Sequence, residues 1–261
     1  MELGLKGKVA IVTGPAKGMG AAITLALAKE GVDLCLAGRD TAAIEPVAQD
    51  AKQLGRKAVV AKCDVTSPGE VDAMLKKTLD AFGRVDILVN VAGGRGPLET
   101  TAWETTPEAF DEVVDLNMKG CFLTMRAVTP VMQKQRSGKI VNIGGTFGLR
   151  GRALRMGYSA SKWGLRGITK AFALELGPYN VNVNNVCPGM VDGPRFRKVC
   201  EGMAKRLGIT EEEAIRKHAE EYALKRVSTD QDIANAVLFY ASDVSRQITG
   251  QDIAVDGGWV I

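Results

Sequence analysis

Tyr158 and Lys162, in the stretch Tyr158-Ser159-Ala160-Ser161-Lys162, set a phenol and an ammonium four residues apart. On a helix that spacing puts both on one face. An ammonium beside a phenol stabilises phenolate, which brings a tyrosine toward the working range of an acid–base catalyst. A second stretch, Thr13-Gly14-Pro15-Ala16-Lys17-Gly18-Met19-Gly20, spaces its glycines as GxxxGxG. Glycines between a strand and a helix let backbone N–H groups approach a pyrophosphate at the helix N-terminus. A flexible strand–helix turn is the plainer alternative, and the spacing is not the commoner GxGxxG. The two patterns together, in this order, point to an oxidoreductase.

The elements that must position these groups alternate along the chain. Short apolar or β-branched runs predict strands over 8–13, 32–37, 58–62, 87–90, 139–143, 181–186 and 252–255. Helical patterns fall between them at 19–30, 41–54, 68–82, 107–136, 157–176 and 229–241. Thr106-Pro107 offers a cap followed by proline, and Ser67-Pro68-Gly69-Glu70 reads as a capping box. Alternation of this kind predicts an α/β fold: a parallel, doubly wound sheet of about seven strands with helices on both faces. Nothing reads as a linker, so a single domain over 1–261 is expected. Residues 189–227 break the alternation with two helical segments and no strand, and are a candidate lid over the strand ends. There Thr210-Glu211-Glu212-Glu213 is another capping box, with Glu212–Arg216 and Glu213–Lys217 pairs at helical spacing.

The cofactor end can be read further. A NAD site usually ends its second strand with an acid that binds the ribose diol. Here the strand ends Ala37-Gly38-Arg39, and Lys17 adds a second positive charge within the glycine loop. Both favour an extra phosphate, hence NADP, with NAD the alternative; ordinary surface charge is the plainer reading of either residue.

Composition excludes several classes. The 34 basic residues are dispersed and exceed the acidic ones by only four, which calls for no nucleic-acid partner. No apolar run reaches membrane-spanning length, and the first residues lack a signal-peptide pattern. Cys35, Cys63, Cys121, Cys187 and Cys200 are widely spaced and mostly within apolar stretches, as expected of reduced, buried thiols in a cytoplasmic protein. His218 is the only histidine and has no ligand cluster, so a metal site is not expected; a surface or partly packed side chain is.

Over nearly its whole length the chain resembles the short-chain dehydrogenase/reductase family, and especially its 3-oxoacyl-reductase-like members. The residues that carry the resemblance are the TGxxxGxG loop, Asp64-Val65, Asn90-Val91-Ala92-Gly93, Asn117, Tyr158-x-x-x-Lys162, Pro188-Gly189 and the ending Thr249-Gly250-Gln251-Asp252 through Asp256-Gly257-Gly258. The resemblance implies a Rossmann-like domain whose cofactor lies against Gly14, Lys17, Gly18, Met19, Gly20, Arg39, Val65, Ala92, Gly93, Pro188, Gly189 and Val191. It implies that Asp64 binds the adenine and Asn90 helps hold a ribose. Lys162 would bind the nicotinamide ribose and favour phenolate at Tyr158, and Asn117 would hold a water in a proton relay. It also implies a homotetramer or homodimer, with the long helices around Asn117 and Tyr158 at an interface.

Two positions depart from the family pattern. Thirteen residues before the tyrosine the family has a catalytic serine; this chain has Gly145, within Ile143-Gly144-Gly145-Thr146-Phe147-Gly148. Losing such a donor can cost about 3–4 kcal/mol in the transition state. Three readings follow: a working dehydrogenase in which Thr146, a water or a substrate group supplies the hydrogen bond; acid–base chemistry by Tyr158 without hydride transfer; or a cofactor-sensing protein. The first is favoured because Tyr158, Lys162 and Asn117 are all present. The second departure is Gly193, where many relatives place a threonine for the nicotinamide amide. The loops at the substrate end carry Arg95, Arg150, Arg152, Arg155, Arg195 and Arg197, with Phe147, Leu149, Leu154, Met156, Met190 and Phe196 as a possible apolar wall. Arginine suits carboxylate or phosphate, so an anionic carbonyl or alcohol is the expected substrate, and an acyl chain on a phosphorylated carrier and a small hydroxy or keto acid both fit. Solvated loop charge is the plainer reading for most of the six.

Overall fold

A computed structural model describes residues 2–260; Met1 and Ile261, the ends of the expected 1–261 domain, lie outside the described residues. The first half alternates β1 (Val9–Thr13), α1 (Met19–Lys29), β2 (Asp33–Gly38), α2 (Thr41–Gln53), β3 (Ala58–Lys62), α3 (Pro68–Phe82) and β4 (Ile87–Asn90). The second continues with α4 (Pro107–Val114), α5 (Gly120–Gln135), β5 (Gly138–Ile143), α6 (Met156–Leu176), β6 (Val181–Pro188), α7 (Pro194–Leu207), α8 (Glu211–Ala219), α9 (Asp230–Ala241) and β7 (Asp252–Val255). All seven expected strands form.

They pair in parallel in the order β3-β2-β1-β4-β5-β6-β7. The chain winds one way from β1 to β3, then returns to place β4 on the other side of β1. That reversal opens a crevice at the carboxyl ends of β1 and β4, where ligands of such sheets bind. Because successive strand residues face opposite sides, Ala10 and Val12 join one core and Ile11 the other. The first core packs Ile23 and Leu27 of α1, Ile44 of α2 and Ile233 and Val237 of α9. The second packs Met74 of α3, Met125 and Val128 of α5 and Leu165 of α6. Burial on both faces explains why the strands read as continuous apolar runs rather than alternating ones.

The local start signals are mostly obeyed. Thr106 Oγ1 accepts from the Ala109 N–H, and the Thr210–Glu213 box closes from both sides. Ser67 accepts weakly from the Glu70 N–H, at 3.5 Å, but the expected box does not form: the Glu70 carboxylate accepts from the Asp64 N–H at 2.8 Å instead. The expected helix over 107–136 is interrupted by a π-helical turn, Asp115–Lys119. Among the described residues neither Glu212–Arg216 nor Glu213–Lys217 closes to an ion pair; Glu213 is occupied by its cap.

The five cysteines are free and buried, and burial pushes the Cys121 and Cys187 thiols up to about 11. Residues 189–227 fold as α7 and α8 around a small core of Phe196, Cys200, Ala204 and Ala214. A bridge between Val191 and Ser228 closes the base of this segment. His218, expected at the surface or partly packed, is buried between Phe196, Tyr222 and Trp259. Among the described residues no helix is long and apolar enough to cross a membrane, and no group of potential metal ligands assembles.

At the edge of the sheet, Asp252 clamps α6 onto β7. Its carboxylate accepts from Arg166 Nε at 3.0 Å, Lys170 Nζ at 2.9 Å and Asn185 Nδ2 at 3.0 Å. Burial alone would push this carboxyl up; the hydrogen bonds from Lys170, Asn185 and Arg166 outweigh it and hold it below the usual carboxylate range. A depressed folded-state value means the stabilisation is present above the unfolded carboxyl range and is lost as pH falls through the folded one. Asp252→Asn is therefore expected to lower unfolding free energy by about 1–3 kcal/mol at pH 7. In urea melts the gap to the native protein should narrow steadily below pH 4; a gap independent of pH would contradict this account.

Candidate active site

Helix α6 begins beside the end of β5, and this sets the central geometry. Lys162, on the second turn, is 5% exposed; its Nζ donates to the Ile143 carbonyl at 2.8 Å and lies 5.7 Å from the centre of the Tyr158 ring. Sequence spacing thus becomes spatial proximity, with the ammonium anchored by strand backbone rather than by a carboxylate. Asn117 sits in the π-helical turn. Its amide donates to the Gly94 carbonyl (2.8 Å) and Ser161 Oγ (3.1 Å) and accepts from the Gly94 N–H (2.8 Å). Ser161 in turn donates to the Tyr158 carbonyl. One side chain therefore ties the loop after β4 to the helix that carries Tyr158. Ser161 was not singled out by the sequence, where a serine between two chemically louder residues gives no signal. Single π turns of this kind recur at functional sites.

Gly145 follows β5 by two residues. Its backbone lies at φ 158° and ψ 154°, at the margin of a positive-φ region that side-chain-bearing residues rarely adopt, so the backbone itself favours glycine here. A Cβ at this position would meet one group within 4 Å, the Tyr158 hydroxyl oxygen at 3.2 Å. Position 145 thus faces the phenol, with nothing in the place of a side chain. Thr146 is buried and opens a short 3-10 turn, Thr146–Gly148. Its backbone carbonyl accepts from Leu149 and Arg150. Phe147 stands edge-on to the Tyr158 ring, with centres 6.2 Å apart.

The glycine loop is shaped by close approach. Gly14, at φ 65°, would place a Cβ 3.0 Å from Ala92 backbone atoms, and a Cβ at Gly20 would collide with the Gly14 carbonyl oxygen. Thr13 Oγ1 accepts from the N–H groups of Val91 and Ala92, which fixes the Ala92-Gly93 segment against the loop. Gly18 is the N-cap of α1, Met19 its first residue; no side chain caps this end and no acid lies in its first turn. Helices α2, α3, α4, α8 and α9 all have side-chain caps. Helices α5, α6 and α7 likewise lack a side-chain cap, so the α1 N-terminus is one of several without one.

Beyond the loop, Lys17 and Arg39 are exposed, and Asp64 lies close enough to Arg39 to feel its charge. The backbone N–H and the hydroxyl of Thr66 hold the Asp64 carboxyl below its usual range, with Arg39 a smaller contribution. Val65 is buried beneath it. A Cβ at Gly38 would meet only Ile44, and with no acid at that position the acid acting on Arg39 is Asp64 instead. The Asn90 side chain is buried. Its amide donates to Asn142 Oδ1 (2.9 Å) and accepts from Thr124 Oγ1 (2.7 Å), and Asn142 continues to Thr169 (2.9 Å). This side chain is committed to a buried chain across β4 and β5, which leaves only backbone of Asn90 for a ribose. Pro188 ends β6, Gly189 packs against Asp256, and Val191 pairs with Ser228. Gly193 is extended, at φ 167°, and a Cβ there would meet nothing closer than 4.0 Å, so neither backbone nor crowding requires glycine.

The six arginines separate. Arg197 is held by both oxygens of Asp192, at 3.0 and 3.1 Å. Arg150 lies over Trp259 at 4.7 Å, and Arg152 over Phe147 at 5.8 Å. Arg155 lies over Tyr158 at 5.1 Å, and Arg95, Arg152 and Arg195 are near enough to act on its charge. Of the expected apolar wall, Phe196 belongs instead to the core of the 189–227 segment.

A family model described as enoyl-(acyl carrier protein) reductase matches residues 14–260. The chain is 35% identical over 258 residues to 3-oxoacyl-(acyl-carrier-protein) reductase FabG of Thermotoga maritima, covering 98% of this chain and 99% of the relative. It is 34% identical over 255 residues to D-beta-hydroxybutyrate dehydrogenase of Rhizobium meliloti, covering 97% and 98% respectively. Its structure is similar to a crystal structure of an actinorhodin polyketide ketoreductase variant with NADPH, with a TM-score of 0.89, 32% identity and 97% of each chain covered. With its full-length match to these enzymes, the chain belongs to the short-chain dehydrogenase/reductase family of NAD(P)-dependent oxidoreductases.

Proposed function

We propose that the protein interconverts a secondary alcohol and a ketone on an anionic substrate, with NADP preferred over NAD and Tyr158 as the acid and base. The observation that carries the reading is the convergence of Tyr158, Lys162 and Asn117 beside the open position at Gly145. The glycine loop and the uncapped α1 N-terminus suit the pyrophosphate of a dinucleotide; Gly14, Gly18, Met19 and Gly20 would lie along it, and Ala92, Gly93, Pro188, Gly189 and Val191 would line the crevice toward the nicotinamide. Lys17 and Arg39 would receive the additional phosphate, and Asp64 and Val65 the adenine. When bound, the cofactor supplies or takes the hydride.

The chain's own residues handle the proton. In the reductive direction the Tyr158 hydroxyl donates its proton to the carbonyl oxygen as that oxygen gains charge. Lys162 stabilises the phenolate left behind, because a buried ammonium with one backbone acceptor has donors to spare. Asn117 fixes the loop at Gly94 and the start of α6, and so the distance between cofactor and phenol; it is also the proposed holder of a relay water. Thr146 is the first candidate for the hydrogen bond that a serine at 145 would give, being adjacent and chemically equivalent. Arg155 over Tyr158, with Arg95, Arg152 and Arg195 near it, supports the anionic substrate, and one relative is named for hydroxybutyrate, a carboxylate. Residues 189–227 are proposed as the substrate lid. Exposed Phe122, Trp163 and Leu174 on α5 and α6 support a homodimer or homotetramer.

Three measurements test this reading. Tyr158→Phe keeps the ring and deletes the proton donor, so turnover should fall about 10²- to 10⁴-fold. Native turnover with chemistry rate-limiting would remove Tyr158 from the role. The native protein should bind NADP(H) more tightly than NAD(H) in fluorescence titration, with Arg39→Ala bringing the two together; equal native affinities would overturn the preference. Thr146→Val should lower turnover roughly 10²- to 10³-fold, and Gly145→Ser in that background should restore part of it. Unchanged turnover and cofactor affinity in Thr146→Val would exclude Thr146 as the donor.

A further inference from the structure

Arg155 differs from the other arginines at the site. It opens α6 at the N-cap position, three residues before Tyr158, and its guanidinium carbon lies 5.1 Å from the centre of the Tyr158 ring. Its one hydrogen bond among the described residues is from Nη2 to the Arg95 carbonyl, at 3.0 Å. Its Nε is enclosed and has no acceptor. No carboxylate pairs with it among the described residues, whereas Arg197 is taken by Asp192 and Arg166 by Asp252. The charges it does feel are the wrong ones. Burial first, and then Arg95, Arg152 and Arg195, pull the guanidinium below its usual range, with Tyr158 the one opposing influence. It stays charged even so, since arginine does not deprotonate in proteins. A half-buried cation crowded by three others, with donors unused, is a costly arrangement unless an anion completes it.

The place of that anion is set by the neighbours. Loop residues Pro97, Thr100 and Thr105 and the backbone around Gly157 form a small recess that Arg155 and Tyr158 share. At the hydroxyl end of the phenol, position 145 contributes no side chain. A ligand oxygen on the Tyr158 hydroxyl and an anionic group on Arg155 would be separated by little more than the phenol ring. A carbonyl and a carboxylate one or two carbons apart fit that gap; a long acyl chain with a remote charge does not.

We infer that Arg155 is the residue that selects the substrate, binding the carboxylate of a short 2-oxo or 3-oxo acid, or the matching hydroxy acid, and so orienting its carbonyl on Tyr158. This rests on the anionic-substrate reading above and names its class and its anchor. The held carboxylate also does what a serine at 145 would do for orientation, because one bidentate contact fixes direction as well as position. Arg155 acts through binding; no proton passes to or from it.

The test uses the full-length enzyme with NADPH and matched pairs: acetoacetate with methyl acetoacetate, and 2-oxobutanoate with its methyl ester. The native enzyme should favour at least one free acid over its ester by 10²-fold or more in kcat/KM. Arg155→Gln should abolish that preference, read as the acid-to-ester ratio of kcat/KM within the same variant, chiefly by raising KM for the acid. Arg155→Lys should restore part of the acid preference, which a merely structural role would not produce. Circular dichroism and cofactor affinity check that each variant is folded. A native enzyme with no acid preference would overturn both the inference and the anionic reading. A native preference that survives in Arg155→Gln would overturn the role of Arg155 and leave the anionic reading standing, with Arg95, Arg152 and Arg195 as the remaining cations.

Discussion

The site depends on one buried charge. Lys162 is nearly inaccessible, yet among the described residues no carboxylate neutralises it; a single backbone carbonyl, that of Ile143, receives one of its three N–H donors. Burying an ammonium is tolerated only where the surroundings complete its hydrogen bonds. That contact fixes where α6 starts relative to the end of β5, so it also fixes Tyr158 against the turn that follows the strand. The clamp of Arg166 and Lys170 on Asp252 then holds the next turns of α6 to β7. A single helix therefore carries the Tyr158 phenol, the Lys162 ammonium and the anchor to the sheet edge.

Asn117 solves a complementary problem. An unbroken helix over 107–136 would carry its side chains round at a regular pitch. The π-helical turn resets that pitch and lets one amide reach both Gly94 and Ser161. The buried chain Thr124–Asn90–Asn142–Thr169 does the same for the strands beneath, joining β4 and β5 to α5 and α6 through side chains with no apolar substitute of equal directionality. The cofactor crevice is framed by these polar contacts; the apolar cores on either face supply the bulk of the burial.

What the sequence made legible was whatever depends on local pattern. The strands could be located because burial on both faces leaves uninterrupted apolar runs, and the caps at Thr106 and Thr210 because capping needs only neighbours. What escaped depends on partners distant in sequence. The π-helical turn is set by Gly94 and Ser161, 23 and 44 residues from Asn117. Glu70 left its expected cap for the Asp64 backbone, and Asn90 was taken by the core. His218 is drawn inward by aromatic rings from α7, the turn after α8 and the segment after β7, none of which its own helix pattern reveals. Likewise the sequence offered six equivalent arginines; only packing separated Arg197, bound to Asp192, from Arg155, bound to no acid.

The bare backbone at Gly145 also bears on what shapes can be accommodated. Since only the Tyr158 hydroxyl lies within 4 Å of the point where a side chain would begin, the volume of a hydroxymethyl group belongs to the ligand instead of the protein. Carbonyls flanked by a branched or more crowded carbon can approach the phenol without a steric penalty from this side. Under the reading proposed above, shape discrimination on that flank is relaxed, and selectivity shifts from the fit of a wall to the geometry of charge.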